Sequence, residues 1–115
     1  MKSLILAVSL ALPLPAFAQM DHSGHQMAGD QNESSQAYAA ANTKMHEEMN
    51  IPLTGDADVD FVAGMIPHHQ GAVDMARIVL EHGTDPEVRK FAQGVIDAQE
   101  AEIKWMTDWL AQHGK

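Results

Sequence analysis

Apolar residues fall into one solid run and two periodic stretches. Residues 4–14 are apolar except for Ser9 and Pro13, whereas residues 19–33 contain no Val, Ile, Leu or aromatic side chain. From about residue 57 onward, apolar positions return at three- and four-residue spacing, the period of a helix with one buried face. Ser34 and Ser35 offer a helix N-cap, and 36–49 reads as a short Ala-rich helix. Asn50-Ile51-Pro52-Leu53-Thr54-Gly55 then breaks the pattern. Asp56 or Asp58 caps a second helix that runs to His82 and stops at Gly83. Asp85-Pro86-Glu87 is a strong start signal: a cap, a proline at the first helical position and an acid in the first turn. The third helix runs from Pro86 to about Gln112. Nothing alternates with period two, so no strand is expected.

Beyond residue 18 there are sixteen Val, Ile, Leu and Phe residues, and fourteen of them lie between Val59 and Leu110. The second and third helices should therefore form a hairpin. On the third, Val88, Phe91, Ala92, Val95, Ile96, Ile103, Met106, Trp109 and Leu110 recur at helical spacing and read as its core stripe. Two helices do not close a core alone. The first helix is needed, and a second copy of the chain in a homodimer is a further candidate. The expected fold class is all-α: an antiparallel helical bundle of about three helices per chain, preceded by a disordered Met/His tail.

The run at 4–14 follows Lys2 and precedes Ala16-Phe17-Ala18, which together resemble an export signal with its cleavage site. It is too short to span a membrane. The chain is thus read as signal peptide 1–18, Met/His-rich tail 19–34 and helical domain 35–115, exported to a periplasm. A net charge of −9 argues against nucleic acid, which requires clustered Lys and Arg. The absence of Cys excludes disulfides, thiolate zinc sites and iron–sulfur clusters. Seven His and eight Met in 115 residues are the unusual counts, and they point toward metal.

The densest donor cluster is Met65-Ile66-Pro67-His68-His69-Gln70-Gly71-Ala72-Val73-Asp74-Met75. At about 100° per residue, Met65 and His69 lie about 40° apart, and His68 and Met75 about 20° apart on the other flank of Met65. Thioether and imidazole then share one arc, expected to face the bundle interior, with small Ala72 leaving room. Thioether sulfur is a soft donor that favours Cu(I), while imidazole accepts Cu(I), Cu(II) and zinc. Pro67 removes a backbone donor within this helix. Either the helix kinks there, or one helix ends near Met65 and another begins. Met45-His46-Glu47-Glu48-Met49 is a second cluster, although an i, i+4 Met pair also suits core packing. Met20, His22, His25 and Met27 form a third, in a tail with no core to serve.

Other chemistry fails on inspection. His46-Glu47-Glu48-Met49-Asn50 lacks the second His of a zinc protease helix. There is no Glu-x-x-His pair for a di-iron bundle, no nucleophile elbow and no phosphate loop. Trp105 and Trp109 read as sealing the bundle end or a subunit contact. No enzyme activity is expected.

The stretch Asp60-Phe61-Val62-Ala63-Gly64-Met65-Ile66-Pro67-His68-His69-Gln70-Gly71-Ala72-Val73-Asp74-Met75-Ala76 resembles the signature of the DUF305 family, which includes the CopM-like periplasmic copper-binding proteins. The likeness extends through Phe91-Ala92-Gln93-Gly94-Val95-Ile96-Asp97-Ala98-Gln99-Glu100 to Trp105-Met106. The resemblance implies a ferritin-like four-helix bundle and copper binding by Met and His. It supports Met65, His68, His69 and Met75 as ligands, with Met45, His46 and Met49 as partners from the preceding helix. The leading expectation is a protein that sequesters or buffers Cu(I), or also Cu(II), and hands copper ions to an efflux or oxidase partner. The alternative is a small periplasmic helical adaptor or chaperone that uses Met for packing alone.

Overall fold

A computed structural model describes residues 29–113. The proposed signal peptide and the donors Met20, His22, His25 and Met27 lie outside the described residues. Three helices follow one another: α1 (Glu33–Met49), α2 (Ala57–His82) and α3 (Pro86–His113). No strand occurs among the described residues. None of these helices is long and apolar enough to cross a membrane. The described residues form three helices, not the four of a four-helix bundle.

Each helix begins where a side chain can take up its first free N–H groups. Asn32 caps α1: its Oδ1 accepts from Ser35 N at 2.9 Å and from Ser34 Oγ at 2.8 Å. The expected serine cap is thus displaced upstream, because an Asn side chain can take up a main-chain donor and a serine hydroxyl together. Asp56 Oδ1 accepts from the N–H groups of Asp58 and Val59, and Asp85 Oδ1 from those of Glu87 and Val88. The turn before α2 is locked from within: Thr54 N, Thr54 Oγ1 and Gly55 N all donate to the Asp60 carboxylate. Gly55 has φ 87, a left-handed conformation that favours glycine.

Helix α2 stops at Gly83 as expected, and of the two alternatives at Pro67 it continues through rather than ending near Met65. Gly83 has φ −82, outside the left-handed region. Glycine stands there because a Cβ would lie 2.6 Å from the Val79 carbonyl oxygen. Arg89 closes this end by donating from Nη1 to the carbonyls of Leu80 and Gly83.

The core lies between α2 and α3, where Val73, Ala76, Ala92 and Ile96 are buried and Val79, Leu80, Val95 and Ile103 pack around them. Val73 is the largest side chain less than 2% exposed among the described residues. Helix α1 runs antiparallel along α2 and does not contact α3. The central helix is therefore flanked on both sides, and one broad face of the three-helix layer stays open. Of the core stripe expected for α3, Ala92, Ile96 and Met106 are buried and Val95, Ile103, Trp109 and Leu110 half-buried. Two members depart from it: Phe91 is 74% exposed and turns to the open face, and Val88, in the first turn, is 46% exposed.

Candidate metal centre

The helix α1 docks on α2 through a glycine. The Met45 side chain lies over Gly71 so closely that a Cβ built there would be 2.5 Å from Met45 Sδ and 2.9 Å from its Cγ. Beside this contact, Lys44 Nζ donates to Asp74 Oδ2 at 2.9 Å and ties the two helices electrostatically. Both anchors set an antiparallel register. In that register Met49 is level with His68, and Met45 is level with the midpoint between His68 and Met75. Met49, Met45, His68 and Met75 thus border one groove between α1 and α2.

Exposure corrects the expected interior arc. Met75 is 42% exposed, Met49 39% and Phe61 66%, and His68 is exposed as well. The donors open to solvent because α1 and α3 take opposite sides of α2 and cover neither this flank nor its aromatic neighbour.

The two adjacent histidines go to different tasks. His69 turns toward α3. Its Nδ1 donates to the Met65 carbonyl at 2.9 Å, and its Nε2 stands 2.5 Å from Glu102 Oε2. Both ring nitrogens of His69 are thus engaged, one with its own helix and one with α3. His68 has no hydrogen-bond partner among the described residues, so its imidazole is free. His46 Nδ1 donates to the Asn42 carbonyl at 2.7 Å, and its Nε2 has no hydrogen-bond partner among the described residues. Met65 is half-buried on the α3 side of the arc, away from α1. Among the described residues, no three His, Asp or Glu side chains gather as a metal site. The grouping here is of thioethers with single imidazoles, a soft and uncharged donor set.

Charge secures the docking. Burial by itself would push the Asp74 carboxyl up, but hydrogen bonds from Lys44 and Gln70 and the charges of Lys44 and Arg77 outweigh it. Its pKa falls below 3.8. The hydrogen bond to Asp74 and its charge raise Lys44 above 10.5. The Thr54 main-chain and hydroxyl donors, helped by Gly55 N–H, lower Asp60 below 3.8. A lowered carboxylate contributes stability above its unfolded pKa and loses it as pH falls through the folded value. A raised ammonium contributes below its unfolded pKa and loses it as pH rises through the folded value. Helix α1 should therefore be held between about pH 4 and pH 10 and loosen outside that window. Amide hydrogen exchange of α1 measures this, and Lys44→Met should remove the alkaline limb; unchanged exchange across both limits would show that charge does not hold α1.

Sequence reasoning missed Glu102, Lys44 and the role of Gly71. The last left a trace: a glycine inside a helix costs roughly 1 kcal/mol against alanine and calls for a packing reason.

Among the described residues, the fold and the donors define a layer of three antiparallel helices, with methionine and histidine on an open face of the central one. The chain belongs to the DUF305 family, described as a domain of unknown function, which matches residues 14–110. It is also 34% identical over 53 residues to an uncharacterized protein of Acanthamoeba polyphaga mimivirus. That match covers 46% of this chain and 35% of the relative, so the chain spans about a third of the relative's length.

Proposed function

We propose that this protein is a non-catalytic, exported copper-binding protein that sequesters Cu(I) in the groove between α1 and α2. The observation that carries the reading is the Met45 thioether seated on Gly71, one turn of α2 from both His68 and Met75. Methionine is neutral and needs no deprotonation, so such a groove favours a monovalent soft ion over a hard divalent one. Met49, His68, Met45 and Met75 follow one another along the groove, an arrangement suited to catching an ion and passing it on. His46 Nε2, at the rim, and the donors Met20, His22, His25 and Met27 would add capacity. A copper efflux or oxidase protein would be the recipient.

The test is an anaerobic Cu(I) titration against a chromophoric competitor, with Zn(II) in parallel. His68→Ala combined with Met45→Leu should weaken Cu(I) binding at least about tenfold, equal to about 1.4 kcal/mol, with helix content unchanged. His69→Ala should instead lower hairpin stability, because it removes the contact with Glu102, and affect Cu(I) little. Full Cu(I) affinity in the double variant would overturn the site.

A further inference from the structure

The open side of the layer carries more than metal donors. Around α2, Phe61, His68, Met75 and Val79 fall within about 40° of one another, and around α3 so do Phe91, Ala98, Trp105 and Trp109. The ion pair of His69 with Glu102 lies at the seam between the two arcs. The pair of Arg77 with Glu100 marks the opposite side of the layer, about 140° or more away on each helix. The two helices therefore divide sharply into an aromatic and thioether face and a charged face. On the first, Phe61 is 66% exposed, Phe91 74% and Trp105 60%. Isolated apolar residues on a surface are ordinary, but a contiguous patch of large ones marks an interaction site.

Three observations select the occupant. The first is area. Two helices side by side, about 40 Å long and about 20 Å wide together, present roughly 800 Å², the contribution of each partner to a standard stable interface. The second is shape. A hollow lined by Phe91, Gly94, Val95 and Ala98 lies on this face, and a Cβ at Gly94 would meet nothing within 4 Å. The patch thus holds a projecting ring beside a depression, the combination a twofold interface requires because both partners use the same surface. The third is charge. The chain carries −9 overall, yet the acid at the seam, Glu102, is already paired with His69. Glu87 and Lys90, of opposite sign, border the hollow. Two copies of this acidic chain meet with least repulsion here.

We propose that this α2–α3 face is a self-association surface for a second copy of the chain, with Phe91 of each copy seated in the Gly94–Ala98 hollow of the other. The pair buries a core of four helices, two from each copy, and leaves α1 outside. It also places His68 and Met75 at the edge of the interface, which shields the groove from bulk water. The dimer forms without metal, so it stands independently of the copper reading.

Sedimentation velocity of the metal-free full chain across the micromolar range tests it. The expected result is a concentration-dependent monomer–dimer equilibrium. Gly94→Glu should raise the dissociation constant about 100-fold, the effect of losing a central anchor. This substitution fills the hollow while improving helix propensity, so folding is not at risk. Phe91→Asp should act similarly, with far-UV circular dichroism unchanged. A chain that stays monomeric throughout overturns the proposal. Equal dimerisation in both variants overturns it too, because the contact then lies elsewhere. A monomer that cosediments with phosphatidylcholine vesicles also overturns it and makes the face a lipid-docking surface.

Discussion

Gly71→Leu releases α1 from α2 and takes the Cu(I) groove with it. The new side chain would begin 2.5 Å from Met45 Sδ and 3.2 Å from Met45 Cβ, so moving the flexible end of methionine does not clear the space. Overpacking of this kind costs about 1–3 kcal/mol. Helix α1 has little to set against that, since it packs on α2 alone and its other anchor is the exposed Lys44–Asp74 pair. A detached helix of 17 residues is marginal in water. Circular dichroism should therefore lose up to about a quarter of its helical signal, the share of α1 among the described helical residues. Cu(I) affinity should fall with it. Gly64→Ala is the control, because nothing lies near its Cβ, and it should stabilise by up to about 1 kcal/mol. A Gly71→Leu chain with full helix content and unchanged hydrogen exchange in α1 would show that the Met45 contact does not set the docking.

Val73→Asp should unfold the hairpin outright. Val73 is 1% exposed and sits in a core of Ala76, Ala92 and Ile96, which offer a carboxylate no hydrogen bond. An unpaired buried charge costs several kcal/mol, about 3–5 where one partner of a pair is lost. Domains are stable by only about 5–15 kcal/mol, and a core this thin belongs at the low end. Urea titration at neutral pH should show no folded baseline for the aspartate variant, whereas Val73→Ala should only shift the midpoint by an amount worth roughly 1–2 kcal/mol. A cooperative transition in Val73→Asp would mean that the core tolerates water and that another contact organises the hairpin.

Much of the secondary structure was legible in the chain. Asp56 and Asp85 sit at the starts of α2 and α3, and a cap acts on N–H groups two or three residues away, within reach of local reading. The Asn32 cap was missed because several polar residues in succession could each have served. The soft donors were legible as residue types. Their different partners were not: His68 and His69 are neighbours with the same periodicity, and Glu102, 33 residues away, engages only one of them. Phe91 was read as core and is exposed, because periodicity records that a face is apolar and not what covers it.

The sequence by itself determined three helices, their caps and the presence of neutral soft donors, because these depend on torsional preference and hydrogen bonds within a few residues. Only the tertiary structure decided that α1 and α3 take opposite sides of α2, that Gly71 is the seat for Met45, and that the Met/His flank and its aromatic neighbours face outward. Those outcomes rest on contacts such as Lys44 with Asp74, 30 residues apart, where shape and charge between distant segments choose among several faces that local pattern makes equally apolar.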